Sequence, residues 1–124
     1  MDKPTKVLIV DDEPSVAKTV KFVLDAEGFE TAVVFNGEDC LKKIGEEKFD
    51  LVLLDIMMPK MNGWQVFDEI HKAHPDLKVA FLTVIKYSDT VKKKLEKDGL
   101  AGCFTKPFEN DELVERVKNI TFRK

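Results

Sequence analysis

Acidic, hydroxyl and basic side chains stand at the ends of short apolar runs in this sequence. Asp11 and Asp12 follow the run KVLIV, and Asp55 follows DLVLL. Thr83 ends the run KVAFLT, and Lys106 follows AGCFT. Clustered carboxylates bind hard cations, and a carboxylate nucleophile assisted by a metal, a hydroxyl and an ammonium group can accept a phosphoryl group. These residue types therefore indicate a site for phosphoryl transfer, with Asp55 as the nucleophile.

The apolar runs have the length of strands that are buried on both faces of a parallel sheet. Helical patterns separate them, so the alternation predicts an α/β fold with right-handed crossovers and helices on both faces of the sheet. In the flavodoxin-like, doubly wound (βα)5 arrangement, the strand order is 2-1-3-4-5. Strands are predicted at residues 6–10, 30–34, 50–54, 78–83 and 101–105.

Five helices are predicted between and after these strands. The first begins at Pro14 and stops at Gly28, because proline suits the first turn of a helix and glycine suits its end. Ser88 predicts the start of the fourth helix and Gly99 its stop. Apolar spacing marks the second, third and fifth helices at Leu41 and Ile44, at Val66, Phe67 and Ile70, and at Leu113, Val114, Val117 and Ile120.

The strand order brings the polar residues to one edge of the sheet. Strands one, three, four and five are then neighbours about 4.8 Å apart, with Asp55 in the middle. Crowded carboxylates repel one another and need a cation, and an oxygen-only ligand set favours Mg²⁺. The structural alternative is that Asp11 and its neighbours only cap the first helix and that Lys106 is a solvated charge. The joint placement of five suitable residues favours the functional interpretation.

Composition narrows the class of protein. The 124 residues are 44% hydrophobic and 35% charged, which predicts a single globular domain over residues 1–124. A net charge of -3 argues against nucleic-acid binding, and no apolar run approaches the roughly 18 residues of a membrane span. A cytoplasmic protein is expected. Cys40 and Cys103 lie on elements too far apart for a disulfide and should stay reduced.

The stretches VLIVDDEPS, DLVLLDIMMPKMNGWQVF, FLT and TKPF resemble the receiver domain of two-component response regulators. The resemblance implies that a sensor histidine kinase or a histidine phosphotransfer protein phosphorylates Asp55. It also implies that Asp12 and Asp55 bind Mg²⁺ directly and that Asp11 does so largely through water. The main-chain carbonyl of Met57 would be a further ligand. Thr83 and Lys106 would hold the phosphoryl oxygens, and a cis bond would precede Pro107.

A domain of this kind is a signalling switch and not an enzyme, since it promotes only its own phosphorylation and dephosphorylation. Its downstream partner or output domain is unknown, and dimerisation on phosphorylation is left open. Some positions depart from the family pattern. Cys103 replaces an aromatic residue that usually accompanies the switch, and Val84 replaces a small residue. Met57 and Ile85 are apolar at positions that flank the attacking water, which predicts slow self-dephosphorylation.

Two other classes of protein share the aspartate chemistry or the topology predicted here. A phosphatase of the haloacid dehalogenase type also uses an aspartate nucleophile and Mg²⁺, but it needs a second aspartate two residues later, where this chain has Met57. A flavin-binding module of the same topology would need a phosphate loop rich in small and hydroxyl residues after strand one. The acidic sequence DDEP found there would repel a flavin phosphate.

Overall fold

Strands and helices alternate along the chain as the sequence predicts. The computed structural model describes residues 4–56, 58, 60–83, 100–105 and 109–122. The predicted fourth helix, over residues 88–99, lies outside these ranges. The described elements are β1 (Lys6–Val10), α1 (Pro14–Ala26), β2 (Glu30–Val34), α2 (Gly37–Glu46), β3 (Leu51–Asp55), α3 (Gly63–Ala73), β4 (Lys78–Thr83), β5 (Gly102–Thr105) and α4 (Asn110–Phe122).

The strands form one parallel sheet in the order β2-β1-β3-β4-β5. This confirms the predicted fold class and strand order. It makes β3 the central strand, with β1 on one side and β4 on the other. Every residue of β3 is buried, as expected for a strand covered on both faces by helices.

The third strand begins and ends one residue later in the structure than the predicted range of 50–54. Asp50 precedes the strand, where its backbone N–H donates to the carbonyl of Lys6 at 2.8 Å and its carboxylate accepts from the Lys6 N–H at 2.8 Å. Asp55 becomes the last residue of β3 and pairs with Leu82 of β4. Asp55 is therefore held by the sheet itself.

Two apolar layers cover the sheet, one on each face. Alternate residues of a strand point to opposite faces, so Leu8 joins the core beneath α2 and α3 while Ile9 joins the core beneath α1 and α4. Both side chains are fully buried. Burial of each such side chain contributes about 2 kcal/mol, and these cores make the sheet a stiff base for the residues at its edge.

The helix starts near that edge are fixed by short polar contacts. Asn36 caps α2 by accepting the N–H of Asp39 at 2.7 Å. Asn62 and Gln65 form a capping box at the start of α3, with both hydrogen bonds at 3.0 Å. Capping bonds of this kind typically contribute about 1 kcal/mol each. None of the helices in the described ranges is long and apolar enough to cross a membrane.

Candidate functional site

Three carboxylates meet at the carboxyl ends of β1 and β3. Asp11, Asp12 and Asp55 each place a carboxylate oxygen within 4.8 Å of the other two. Asp11 is fully buried, Asp55 is 3% exposed, and Asp12 is half-buried. The sequence predicted that these three side chains converge, and the structure brings them together as an acidic cluster.

The turn from β1 into α1 fixes the first part of the acidic cluster. The N–H of Asp11 donates to the carbonyl of Val34 at 3.2 Å, which continues the hydrogen bonding between β1 and β2 past the end of β1. One oxygen of the Asp11 carboxylate accepts the N–H of Glu13 at 2.9 Å. Glu13 makes no side-chain cap to α1, which starts at Pro14. Asp11 therefore has a structural contact at the helix start and also faces the cluster.

Asp55 is positioned by β3 and by a tight turn that follows it. The carbonyl of Ile56 accepts two backbone N–H groups, from Met58 at 3.2 Å and from Gly63 at 2.9 Å. Between them, Lys60 has a φ of 67°, a left-handed conformation that costs a residue with a side chain about 1 kcal/mol or more. The turn folds the chain back so that α3 begins directly against the end of β3.

The donor set suits a hard divalent cation. Within the described part of the chain it consists of three carboxylates and no sulfur or imidazole, and Mg²⁺ selects oxygen ligands of this kind. Two of the carboxylates are almost completely removed from water, where mutual repulsion is weakly screened. A cation bound among them would reduce that repulsion. The acidic cluster therefore fits Mg²⁺ both by the chemistry of its oxygens and by its charge.

Thr83 is the one remaining predicted site residue that lies within the described ranges. Thr83 is the last residue of β4 and pairs in register with Thr105, the last residue of β5. The end of β4 thus adjoins the end of β3, as the strand order predicted. Met57, Lys106 and Pro107 lie outside the described residues, as do Val84 and Ile85, and the roles expected for them stay predictions. So does the hydrogen bond from the Thr83 hydroxyl to a phosphoryl oxygen.

The sequence assigned no role to Gly63, which lies against the end of β3. A Cβ atom at Gly63 would lie 2.6 Å from the carbonyl oxygen of Asp55. The Asn-Gly pair before an apolar helical pattern marks a helix start in the sequence. Nothing in the pattern, however, reveals that this helix start packs against the main chain of Asp55.

The thiol of Cys40 lies in the core and away from the acidic cluster. Cys40 is a free cysteine on α2 and is fully buried beneath that helix. Burial raises the pKa of the Cys40 thiol to about 12, because an apolar environment disfavours the thiolate. Cys40 is thus a small residue of the apolar core, and the expectation that it stays reduced remains a prediction.

Comparison with known proteins gives the same family throughout. The family model of the response regulator receiver domain matches residues 7–118. The transcriptional regulatory protein DltR of Streptococcus agalactiae is 38% identical over 114 residues, covering 91% of this chain and 50% of DltR. The DNA-binding response regulator MtrA of Mycolicibacterium smegmatis is 40% identical over 114 residues, covering 91% of this chain and 49% of MtrA.

A solved structure of the same kind superposes on the whole chain. The BeF3-activated receiver domain of DrrB, a Thermotoga maritima protein, has a TM-score of 0.85 and 31% sequence identity, covering 98% of this chain and 100% of that chain. The fold and the acidic cluster define a flavodoxin-like signalling domain. The chain belongs to the response regulator receiver domain family. It spans about half the length of the curated relatives that it matches.

Proposed function

We propose that Asp55 is the phosphoacceptor of this receiver domain and that the acidic cluster holds Mg²⁺ for the transfer. The observation that carries the proposal is the placement of Asp55 at the end of the central strand, with its carboxylate within 4.8 Å of those of Asp11 and Asp12. A buried nucleophile beside two further carboxylates suits a reaction in which a metal and an anionic group arrive together.

Each residue of the proposed site has a separate task. A carboxylate oxygen of Asp55 attacks phosphorus in line with the leaving group, forming an acyl phosphate while the bond from phosphorus to the donor breaks. Asp12 and Asp55 would bind Mg²⁺ directly, Asp11 through water, and the Met57 carbonyl would complete the protein ligands. When bound, Mg²⁺ offsets the charge that gathers on the phosphoryl oxygens. Thr83 and Lys106 would contact those oxygens by a hydrogen bond and an ion pair.

The partners follow from the chemistry of the family. A phosphohistidine on a sensor kinase or a phosphotransfer protein has the P–N bond that an aspartate carboxylate can displace, and the imidazole leaves as a neutral group after it is protonated. Residues 1–124 would act as one cytoplasmic signalling domain without enzymatic turnover of other substrates. The DNA-binding role named for MtrA belongs to a protein about twice as long. We assign this domain the input of the signal and not its output.

Phosphorylation by a small donor tests the proposal. The purified chain is incubated with acetyl phosphate and Mg²⁺, and its intact mass is followed before and after mild acid or hydroxylamine, which cleave acyl phosphates. We expect one phosphoryl group on the wild type and none on Asp55→Asn. Asp76→Asn, a change at an exposed aspartate between α3 and β4, serves as the matched control and should be labelled like the wild type.

Two results would contradict the assignment. Labelling of Asp55→Asn at another residue would show that Asp55 is not the acceptor. Many turnovers of acetyl phosphate per protein molecule would point instead to the haloacid-dehalogenase-like phosphatase, although Met57 stands where that class needs its second aspartate. Omission of Mg²⁺ should suppress labelling of the wild type, and undiminished labelling without it would remove the metal from the mechanism.

A further inference from the structure

The first residue of α3 makes unusually close contact with the main chain of the proposed acceptor. A Cβ atom built on Gly63 would lie 2.6 Å from the carbonyl oxygen of Asp55 and 2.7 Å from the Cα of Ile56. Both are backbone atoms, so a change of side-chain rotamer cannot relieve the overlap. The N–H of Gly63 also donates to the Ile56 carbonyl at 2.9 Å, which holds the helix start against the end of β3.

We propose that Gly63 is a positioning residue for the phosphoacceptor: the absence of a side chain lets α3 close on the peptide between Asp55 and Ile56, and this contact sets where the Asp55 carboxylate lies relative to Asp11 and Asp12. The proposal rests on the function proposed above for Asp55. Gly63 itself touches neither the metal nor the phosphoryl group in this scheme and acts only through the backbone of β3.

The contacts around Gly63 determine whether the start of α3 or the Asp55 peptide moves when a side chain is added at residue 63. The start of α3 is tied down by the capping box of Asn62 and Gln65. The register of β3 with β1 ends at Leu54, whereas Asp55 still pairs in register with Leu82 of β4. The two hydrogen bonds of the capping box fix the helix start, and the bond from the Gly63 N–H to the Ile56 carbonyl holds it against the chain that follows Asp55. A methyl group at residue 63 should therefore displace the Asp55 peptide.

The size of that displacement follows from the contact distance. Real Cβ atoms essentially never approach another heavy atom more closely than 3.0 Å, whereas this one would start at 2.6 Å from the Asp55 oxygen. The peptide must therefore move by about 0.4 Å, close to the roughly 0.5 Å within which a functional constellation has to be held. Mg²⁺ demands near-ideal octahedral geometry, so we expect Gly63→Ala to weaken Mg²⁺ binding about tenfold.

A second glycine supplies a matched control. Gly37 is the first residue of α2, follows an asparagine cap, and would place a Cβ atom 2.5 Å from Cγ2 of Val66 and 3.0 Å from Sδ of Met61. These are side-chain atoms on another helix and its preceding turn, so Gly37→Ala should lower stability without pushing on Asp55. Gly45 has nothing within 4 Å of its would-be Cβ and controls for the substitution alone.

The experiment compares the three alanine variants with the wild type. Calorimetry gives the Mg²⁺ dissociation constant, acetyl phosphate labelling at saturating Mg²⁺ gives the transfer rate, and thermal unfolding gives the stability. We expect Gly63→Ala to raise the Mg²⁺ dissociation constant about tenfold and to lower the saturated rate, with Gly37→Ala and Gly45→Ala within about twofold of the wild type. A merely structural role would lower the unfolding temperature of Gly63→Ala and leave Mg²⁺ binding by the folded protein unchanged.

Several results would overturn the proposal. One is a change below about threefold for Gly63→Ala, and another is an equal loss of Mg²⁺ affinity in Gly37→Ala. If Gly63→Ala is unfolded, it is measured in about 1 M trimethylamine N-oxide, which favours the folded state. If it remains unfolded, Asn62→Ala, which frees the helix start, should weaken Mg²⁺ binding at least about twofold, and unchanged binding would refute the positioning role.

Failure of this inference is separable from failure of the proposed function. A wild type that takes no phosphoryl group on Asp55 would reject the function. A wild type that is labelled at Asp55, together with a Gly63→Ala variant that binds Mg²⁺ normally, would reject only the positioning role.

Discussion

Removal of one charge from the acidic cluster should stabilise the protein when no divalent cation is present. The variants are Asp55→Asn and Asp12→Asn, which keep the size of each side chain and remove its negative charge. The physical reason is that three carboxylates share one site, two of them buried, and like charges in a weakly hydrated site oppose folding. The three carboxylates that would bind Mg²⁺ would thus destabilise the folded protein when the cation is absent.

The magnitude follows from the spacing of the oxygens. Two unit charges 4.8 Å apart repel by about 3.5 kcal/mol at an effective dielectric constant of 20. Asp55→Asn removes two such repulsions, but Asp55 also interacts with other groups in the fold, and the loss of a favourable interaction would offset part of the gain. A net stabilisation of about 2 kcal/mol is expected, or roughly 8 °C in unfolding temperature for a domain of this size.

The assay is thermal or urea unfolding, once with a chelator and once with Mg²⁺. At about 100 times its dissociation constant, Mg²⁺ should stabilise the wild type by about 2.7 kcal/mol and should stabilise Asp55→Asn far less. The advantage of Asp55→Asn in the chelator should therefore disappear in Mg²⁺. Asp76→Asn removes an exposed carboxylate and should stay within about 0.5 kcal/mol of the wild type in both conditions.

A lower stability of Asp55→Asn in the chelator would refute the reasoning, because the carboxylate would then be net favourable in the fold. An equal effect of Mg²⁺ on the wild type and on both variants would place the binding site elsewhere.

Two further predictions concern groups outside the acidic cluster. Hydrogen bonds from Lys43 and Lys6 lower the pKa of Glu47 from 4.5 to about 2. The contribution of the Glu47 carboxylate to stability is therefore present above about pH 4.5 and is lost as the pH falls toward 2. Glu47→Gln should unfold at a lower temperature than the wild type near neutral pH, and this difference should vanish in acid. Because burial raises the pKa of Cys40 to about 12, iodoacetamide should leave Cys40 unmodified in native Cys103→Ser at about pH 8 and modify it in denaturant.

The elements of this fold could be predicted because each one satisfies a local rule. Strand β1 is a run of apolar residues with no competing helical period, and α1 begins at a proline and is followed by Gly28, whose φ of 91° favours glycine. The boundary of β3 was harder, since Asp50 and Asp55 flank the same apolar run. Tertiary hydrogen bonds to Lys6 decide that boundary, and these are invisible in a local pattern.

The acidic cluster could be predicted from the sequence for a different reason. The carboxyl ends of all strands in a parallel sheet lie on the same side, so the strand order predicts which strand ends are adjacent. This rule predicts that Asp11 and Asp55 lie close together, but it does not predict which helix packs against the main chain of Asp55. The contact between Gly63 and the Asp55 carbonyl depends on how deeply α3 docks, a property of the packed structure alone.

The position of Asp55 within the sheet indicates which elements a change at this residue would affect first. Its backbone pairs with Leu82 on β4 and lies against Gly63 at the start of α3, whereas the pairing of β3 with β1 ends one residue earlier at Leu54. A force on the Asp55 side chain therefore acts first on the end of β4 and on α3. Asp11 is held by bonds to Val34 and Glu13, so the β1 side stays fixed as a reference. If Asp11 and Asp55 hold Mg²⁺ as proposed, we expect the β1 side of the acidic cluster to stay in place while a change at Asp55 acts on the end of β4.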